Sequence, residues 1–208
     1  MELTLNIFFP ISAFIAIIIF AVNQYQECSR RCAEKKNNLN LARKILCQEI
    51  KDNYNRIGII QTFCEDYQEF HGKEDFQLKL KQSPLGAVTV AMSCGEDFVM
   101  TSLPRLSDDY FKSLSSRLVT LDDDIFDDIA NIYSNSISIN RHIDILLPLL
   151  DKISTSDEFD YARHLTLDLS NLTKEVNCYY SSVYRTITGE EIPTVERRFI
   201  ESASLTQQ

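Results

Sequence analysis

Residues 155–189 read TSDEFDYARHLTLDLSNLTKEVNCYYSSVYRTITG. Apolar side chains fall at Phe159, Ala162, Leu165, Leu169, Leu172, Val176, Tyr179, Val183 and Ile187. Steps of three and four are the period of one helix face. Thr155 and Glu158 match a capping box, in which each side chain satisfies an otherwise orphan backbone N–H. Gly189 suits the left-handed cap at the other end. At 1.5 Å per residue such a helix extends about 50 Å. It cannot bury its stripe alone, so it needs partners of similar length.

Two partners are legible. Ile125, Ile129, Ile132, Ser136, Ile139, Ile143, Leu146 and Leu150 make a second stripe. It follows Thr120-Leu121-Asp122-Asp123-Asp124, whose carboxylates suit the positive end of a helix dipole. Pro148 is expected to kink or end its last turn. The first stripe runs Leu39, Ala42, Leu46, Ile50, Asn53, Ile57, Ile60, Cys64, Tyr67 and should stop near His71-Gly72.

The signal weakens between the first two stripes. Ser83-Pro84 and Gly95 bracket an expected short helix: a cap, a first-turn proline and a terminating glycine. Val88 and Val90 leave a strand open there, and Phe76, Leu78 and Leu80 alternate as a strand would. Ser107 is expected to cap another short helix carrying Phe111, Leu114 and Leu118. Only 5 Gly and 5 Pro occur in 208 residues. Sandwiches and barrels need many turns, so the totals favour helices.

Ahead of the stripes, Leu3 to Val22 carries no charge and is mostly apolar. That is about the 20 residues needed to cross a bilayer. The run is long for a signal peptide, its amino end lacks Lys or Arg, and no small-residue cleavage site follows. A retained transmembrane helix is the expectation. Arg30, Arg31, Lys35 and Lys36 flank it on the carboxyl side alone, which keeps that side in the cytoplasm. The same four suit anionic lipid head groups.

The six cysteines, Cys28, Cys32, Cys47, Cys64, Cys94 and Cys178, are spread through helical stripes. They lack the density of a secreted disulfide scaffold and read as free thiols in a reducing compartment. A net charge of −9 gives no electrostatic reason to bind nucleic acid. Three histidines at His71, His142 and His164 form no metal-ligand spacing. The acidic run from Asp122 to Asp128 lacks the Gly and Glu of a calcium loop. No phosphate-cradling or nucleophile-elbow motif occurs, and no cofactor is implied. Asn171-Leu172-Thr173 matches a glycosylation acceptor but lies inside an expected helix on the cytoplasmic side.

The segment Leu46, Ile50, Asn53, Ile57 allows two readings. It is the core of its own bundle, or it pairs with a parallel second copy, with Asn53 fixing the register. The second reading makes a homo-oligomer and sets Cys28 and Cys32 beside their counterparts.

Glu49-Ile50-Lys51-Asp52-Asn53-Tyr54-Asn55-Arg56-Ile57 resembles an EIxxNxxxI phrase of uncharacterised bacterial single-pass membrane proteins. Ile132-Tyr133-Ser134-Asn135-Ser136-Ile137-Ser138-Ile139-Asn140 resembles their later IYxxxIxxN. The resemblance implies a bacterial cytoplasmic helical domain and no catalytic residue.

The expectation is therefore all-α: an N-terminal transmembrane helix, then an antiparallel bundle of three long and one or two short helices. Its parts are an anchor at 1–26, a basic juxtamembrane segment at 27–38, the bundle at 39–190 and a tail at 191–208. The expected placement is the inner membrane, single-pass, amino terminus out and domain in the cytoplasm. The expected role is binding, as an adaptor, sensor or accessory subunit, with membrane lipid and an unidentified protein as partners and no nucleic acid. The alternatives are a membrane effector whose anchor oligomerises and disrupts the bilayer, or an enzyme with an unrecognised site.

Overall fold

The structure, a computed structural model, describes residues 2–82, 88–118, 123–153 and 156–193, with the backbone alone at 2–12, 114–118, 123–125 and 156. Helix α1 runs Glu2–Phe70. Two compact units, Met1–Lys44 and Ile45–Gln208, divide the chain.

In the first unit, Phe14, Ile15, Ile17, Ile18, Ile19, Phe20 and Val22 are all exposed. Among the described residues no helix is long and apolar enough to cross a membrane. The transmembrane helix expected from Leu3–Val22 is corrected on that finding. The apolar run from Ala13 to Val22 is about half the length a crossing takes. The side chains of Leu3–Ser12 lie outside the described residues.

In the second unit, the remaining turns of α1 carry Leu46, Ile50, Asn53, Ile57, Ile60, Cys64 and Tyr67, all fully buried. Each aliphatic member gains about 1.5–3 kcal/mol from burial. The helix stops where expected. Gly72, at φ 85°, takes a conformation that costs other residues a Cβ clash. His71 N donates to Tyr67 O at 2.9 Å in the last turn.

Next comes a three-stranded antiparallel meander: β1 (Gln77–Gln82), β2 (Val88–Cys94) and β3 (Asp97–Ser102), in the order β1-β2-β3. This corrects the all-α expectation. It also corrects the short helix expected before Gly95; Ser83 and Pro84 lie outside the described residues. The physical reason is period two. Leu78 and Leu80 turn inward while Lys79 and Lys81 turn out. Leu78 pairs with Met92, Leu80 with Val90, and Met92 in turn with Val99. Val90 and Met92 are fully buried on that inner face.

An irregular segment, 103–108, leads to α2 (Asp109–Leu118). Then come α3 (Asp123–Lys152) and α4 (Ser156–Thr188). Helix α2 starts two residues past Ser107. Pro148 does not end α3, which runs on to Lys152. Gly189 closes α4, its N–H donating to Arg185 O at 2.7 Å. Thr155, the expected capping hydroxyl, lies outside the described residues, as do 119–122 and 194–208.

The three long helices pack with defined directions. Ser136 of α3 meets Tyr180 of α4, and Asn53 of α1 also meets Tyr180. The rings of His71 and Phe76 both lie edge-on to Phe159 at the start of α4. Thus α1 and α3 run in one sense and α4 in the other. Ile129, Ile132, Ile139, Ile143, Leu146, Leu169 and Val176 fill the space between them.

Candidate functional site

Among the described residues of Ile45–Gln208, a dense polar knot forms around the irregular segment. Glu49 projects from α1 one residue before Ile50, so its carboxylate is carried inward and is 2% exposed. Its Oε1 accepts from Ser107 Oγ at 2.8 Å and from Tyr110 N at 3.1 Å. Its Oε2 accepts from Phe111 N at 3.0 Å and from the Tyr133 hydroxyl. Four donors therefore meet one carboxylate. Two of them are backbone N–H groups in the first turn of α2, which have no intrahelical acceptor. A carboxylate there also opposes the positive end of the helix dipole.

Two asparagines hold the peptide units just before α2. Asn53 Oδ1 accepts from Ser107 N at 2.8 Å, and its Nδ2 donates to Ser107 O at 2.7 Å. Asn140 Oδ1 accepts from Leu106 N at 2.9 Å, and its Nδ2 donates to Leu106 O at 2.9 Å. Each amide thus serves both backbone groups of one residue, as a neighbouring strand would. Asn53 Nδ2 also donates to the Tyr180 hydroxyl at 3.3 Å, which lies 2.6 Å from Ser136 Oγ. Ser136 donates to Ile132 O at 2.8 Å, so Tyr180 is the donor to Ser136. Buried backbone needs such partners, because an unpaired group costs about 1–3 kcal/mol. Leu103 and Leu106 bury their side chains beside this ladder, and Phe111 stacks on Tyr133 at 4.2 Å.

At the rim, Arg56 Nη1 donates to Arg105 O at 2.7 Å, and Arg105 pairs with Asp144 at 2.5 Å. Burial, then the bond to Glu49, push the Tyr133 phenol far above its ordinary pKa. Burial pushes Tyr180 up to about 12, against its hydrogen bonds with Ser136 and Asn53. Both phenols stay neutral donors. The four donors described at Glu49 all come from the fold, so the knot holds the irregular segment and the start of α2 in place.

A shallow cavity of about 320 Å³ lies between the start of α3 and the end of α4. Asp128, Ser134, Asn135, Glu175, Tyr179 and Ser182 are among the residues that line it. Among the described residues, no group of three His, Cys, Asp or Glu is placed to hold a metal ion.

The residues singled out in the sequence divide between the two units. Arg30 and Arg31 are exposed and both bond to Glu27, at 2.9 Å and 2.8 Å. Lys35, Lys36, Cys28 and Cys32 are exposed. Leu46, Ile50 and Ile57 are fully buried, and Asn53 spends its amide on Ser107 and Tyr180. Their faces are taken up within the chain itself.

Glu49, Ser107, Tyr133 and Asn140 form a site that stripe reading passed over. A signal was present. The phrase EIKDNYNRI supplies Glu49 and Asn53, and IYSNSISIN supplies Tyr133, Ser136 and Asn140. Glu49 and Asn53 from the first phrase and Asn140 from the second bond directly to residues 106–111, and Tyr133 reaches them through Glu49. No family model, no curated protein and no solved structure matches the chain.

Proposed function

We propose that the protein is a membrane-associated helical interaction protein, working at the cytoplasmic face of a bacterial inner membrane. One observation carries the reading. The seven large apolar side chains from Phe14 to Val22 are between 47% and 65% exposed. Ile17, Ile18, Ile19 and Phe20 are consecutive, so they point all round the helix at 100° steps. A helix apolar on every side is covered on every side, which a single protein face does not do. A contiguous apolar surface of this kind marks contact with lipid or protein. Lipid covers every side at once. Contact of this stretch with lipid suffices, and a full crossing is not part of the proposal.

The flank supports the side. Arg30, Arg31, Lys35 and Lys36 follow the apolar stretch, and each basic group near an anionic leaflet contributes about 1 kcal/mol. Glu27 and Glu34 temper this through exposed pairs with Arg30 and Arg31 that add little of their own.

Vesicle flotation tests the reading. The full chain is expected to float with vesicles containing anionic lipid and to float less with zwitterionic ones. Replacing Arg30, Arg31, Lys35 and Lys36 with Gln should remove the difference. A chain that stays in the aqueous fraction with both vesicle types contradicts the proposal.

A further inference from the structure

The two edges of the sheet are built differently. β1 reads Gln77-Leu78-Lys79-Leu80-Lys81-Gln82, with both lysines exposed. Lysine on an edge strand discourages pairing with another chain. β3 reads Asp97-Phe98-Val99-Met100-Thr101-Ser102. It has no lysine or proline, and its pairing with β2 runs without a bulge. Its outer face carries Phe98 at 60% and Met100 at 51% exposure. Among the described residues no strand pairs with its outer edge.

The register says which backbone groups that edge offers. Leu103 N donates to Val88 O at 3.0 Å, so odd-numbered residues at this end aim their backbone at β2. In an antiparallel pair, bonded and non-bonded residues alternate. The N–H and C=O groups of Phe98, Met100 and Ser102 therefore aim away from β2, in the plane of the sheet.

We propose that β3 pairs antiparallel with β3 of a second copy of this chain, joining two three-stranded sheets across a two-fold axis. The strand is complementary to itself. Side chains alternate faces with period two, so a two-fold pairing must set even residues against even ones. With Val99 on the axis, Phe98 lies opposite Met100 of the partner on the outer face. That is an aromatic and thioether contact of a favourable kind. The same register makes Phe98 and Met100 exchange backbone bonds with the partner, using the groups that point outward. Asp97, the strand's one charge, falls opposite Thr101 of the partner rather than opposite its own counterpart. An isologous contact of this sort closes at two copies and does not propagate. The inference stands on the sheet alone and does not need the lipid reading.

Backbone amide exchange on the full chain, read with its mass, tests the pairing. At high protein concentration the Phe98 and Met100 amides should be protected, and dilution should remove that protection while Val99 and Thr101 stay slow. Met100→Pro removes an outward N–H and leaves the bonds to β2 in place. It should abolish protection at Phe98 and give single chains. Phe98→Lys, which leaves the backbone intact, should weaken association at least tenfold. Concentration-independent fast exchange at Phe98 and Met100 overturns the proposal. So does a dimer that survives both substitutions, which would place the contact elsewhere, or protection that appears only when a different protein is added.

Discussion

Glu49 shows how a single buried charge can organise a segment far away in sequence. Its carboxylate gathers donors from Ser107, Tyr110, Phe111 and Tyr133. Removing it leaves these groups facing each other without an acceptor. Glu49→Ala should therefore lower the unfolding free energy by about 3 kcal/mol or more. Glu69→Ala, at an exposed pair with Lys73, should stay within about 0.5 kcal/mol. Urea midpoints of the two variants decide this; equal midpoints would mean the knot is only local ornament. Buried acids of weaker kind set the alkaline limit. Burial pushes the Cys64 thiol from 9.0 up to about 12, and Tyr180 from 10.0 up to about 12. The folded state then holds protons that the unfolded state has released. Stability is full below pH 9 and falls as pH rises from 9 towards 12. Between pH 9 and 10 Cys64 alone sets a fall of about 1.4 kcal/mol per pH unit. Cys64→Ala should delay the onset to near pH 10, which denaturation series at half-unit pH steps would register. A profile flat from pH 8 to 11 would contradict these burials.

At the scale of elements, long helices were legible and the sheet was not. Stripes such as Ile129, Ile132, Ile139 and Ile143 repeat the helical period over many turns, and the structure buries each member. The strands are six or seven residues long, too short for period two to outweigh an overall composition poor in Gly and Pro. Leu78 and Leu80 did carry the alternation, and Val88 and Val90 the β-branched chemistry. Their partners were invisible, because pairing is a long-range property. Asn53 was conspicuous as the polar member of a stripe, yet its bonding partner Ser107 lies 54 residues on. Glu49 was silent because it sits between stripe positions. The helix packing itself makes a firm prediction. Leu169 on α4 is fully buried, so Leu169→Asp should cost several kcal/mol by burying an unpaired charge. An unchanged melting temperature in that variant would place the wrong face of α4 inward.

At the scale of the whole molecule, the two compact units, Met1–Lys44 and Ile45–Gln208, are built differently. The first carries the apolar stretch and the basic flank, and lipid contact is proposed for it. The second carries the buried stripes, the sheet and the Glu49 knot. Flotation of the full chain beside a chain covering residues 45–208, each with its circular dichroism melt, tests this division most directly. The shorter chain is expected to melt cooperatively from a mostly helical state and to stay in the aqueous fraction, while the full chain rises with anionic vesicles. A shorter chain that floats as fully as the whole protein would contradict it.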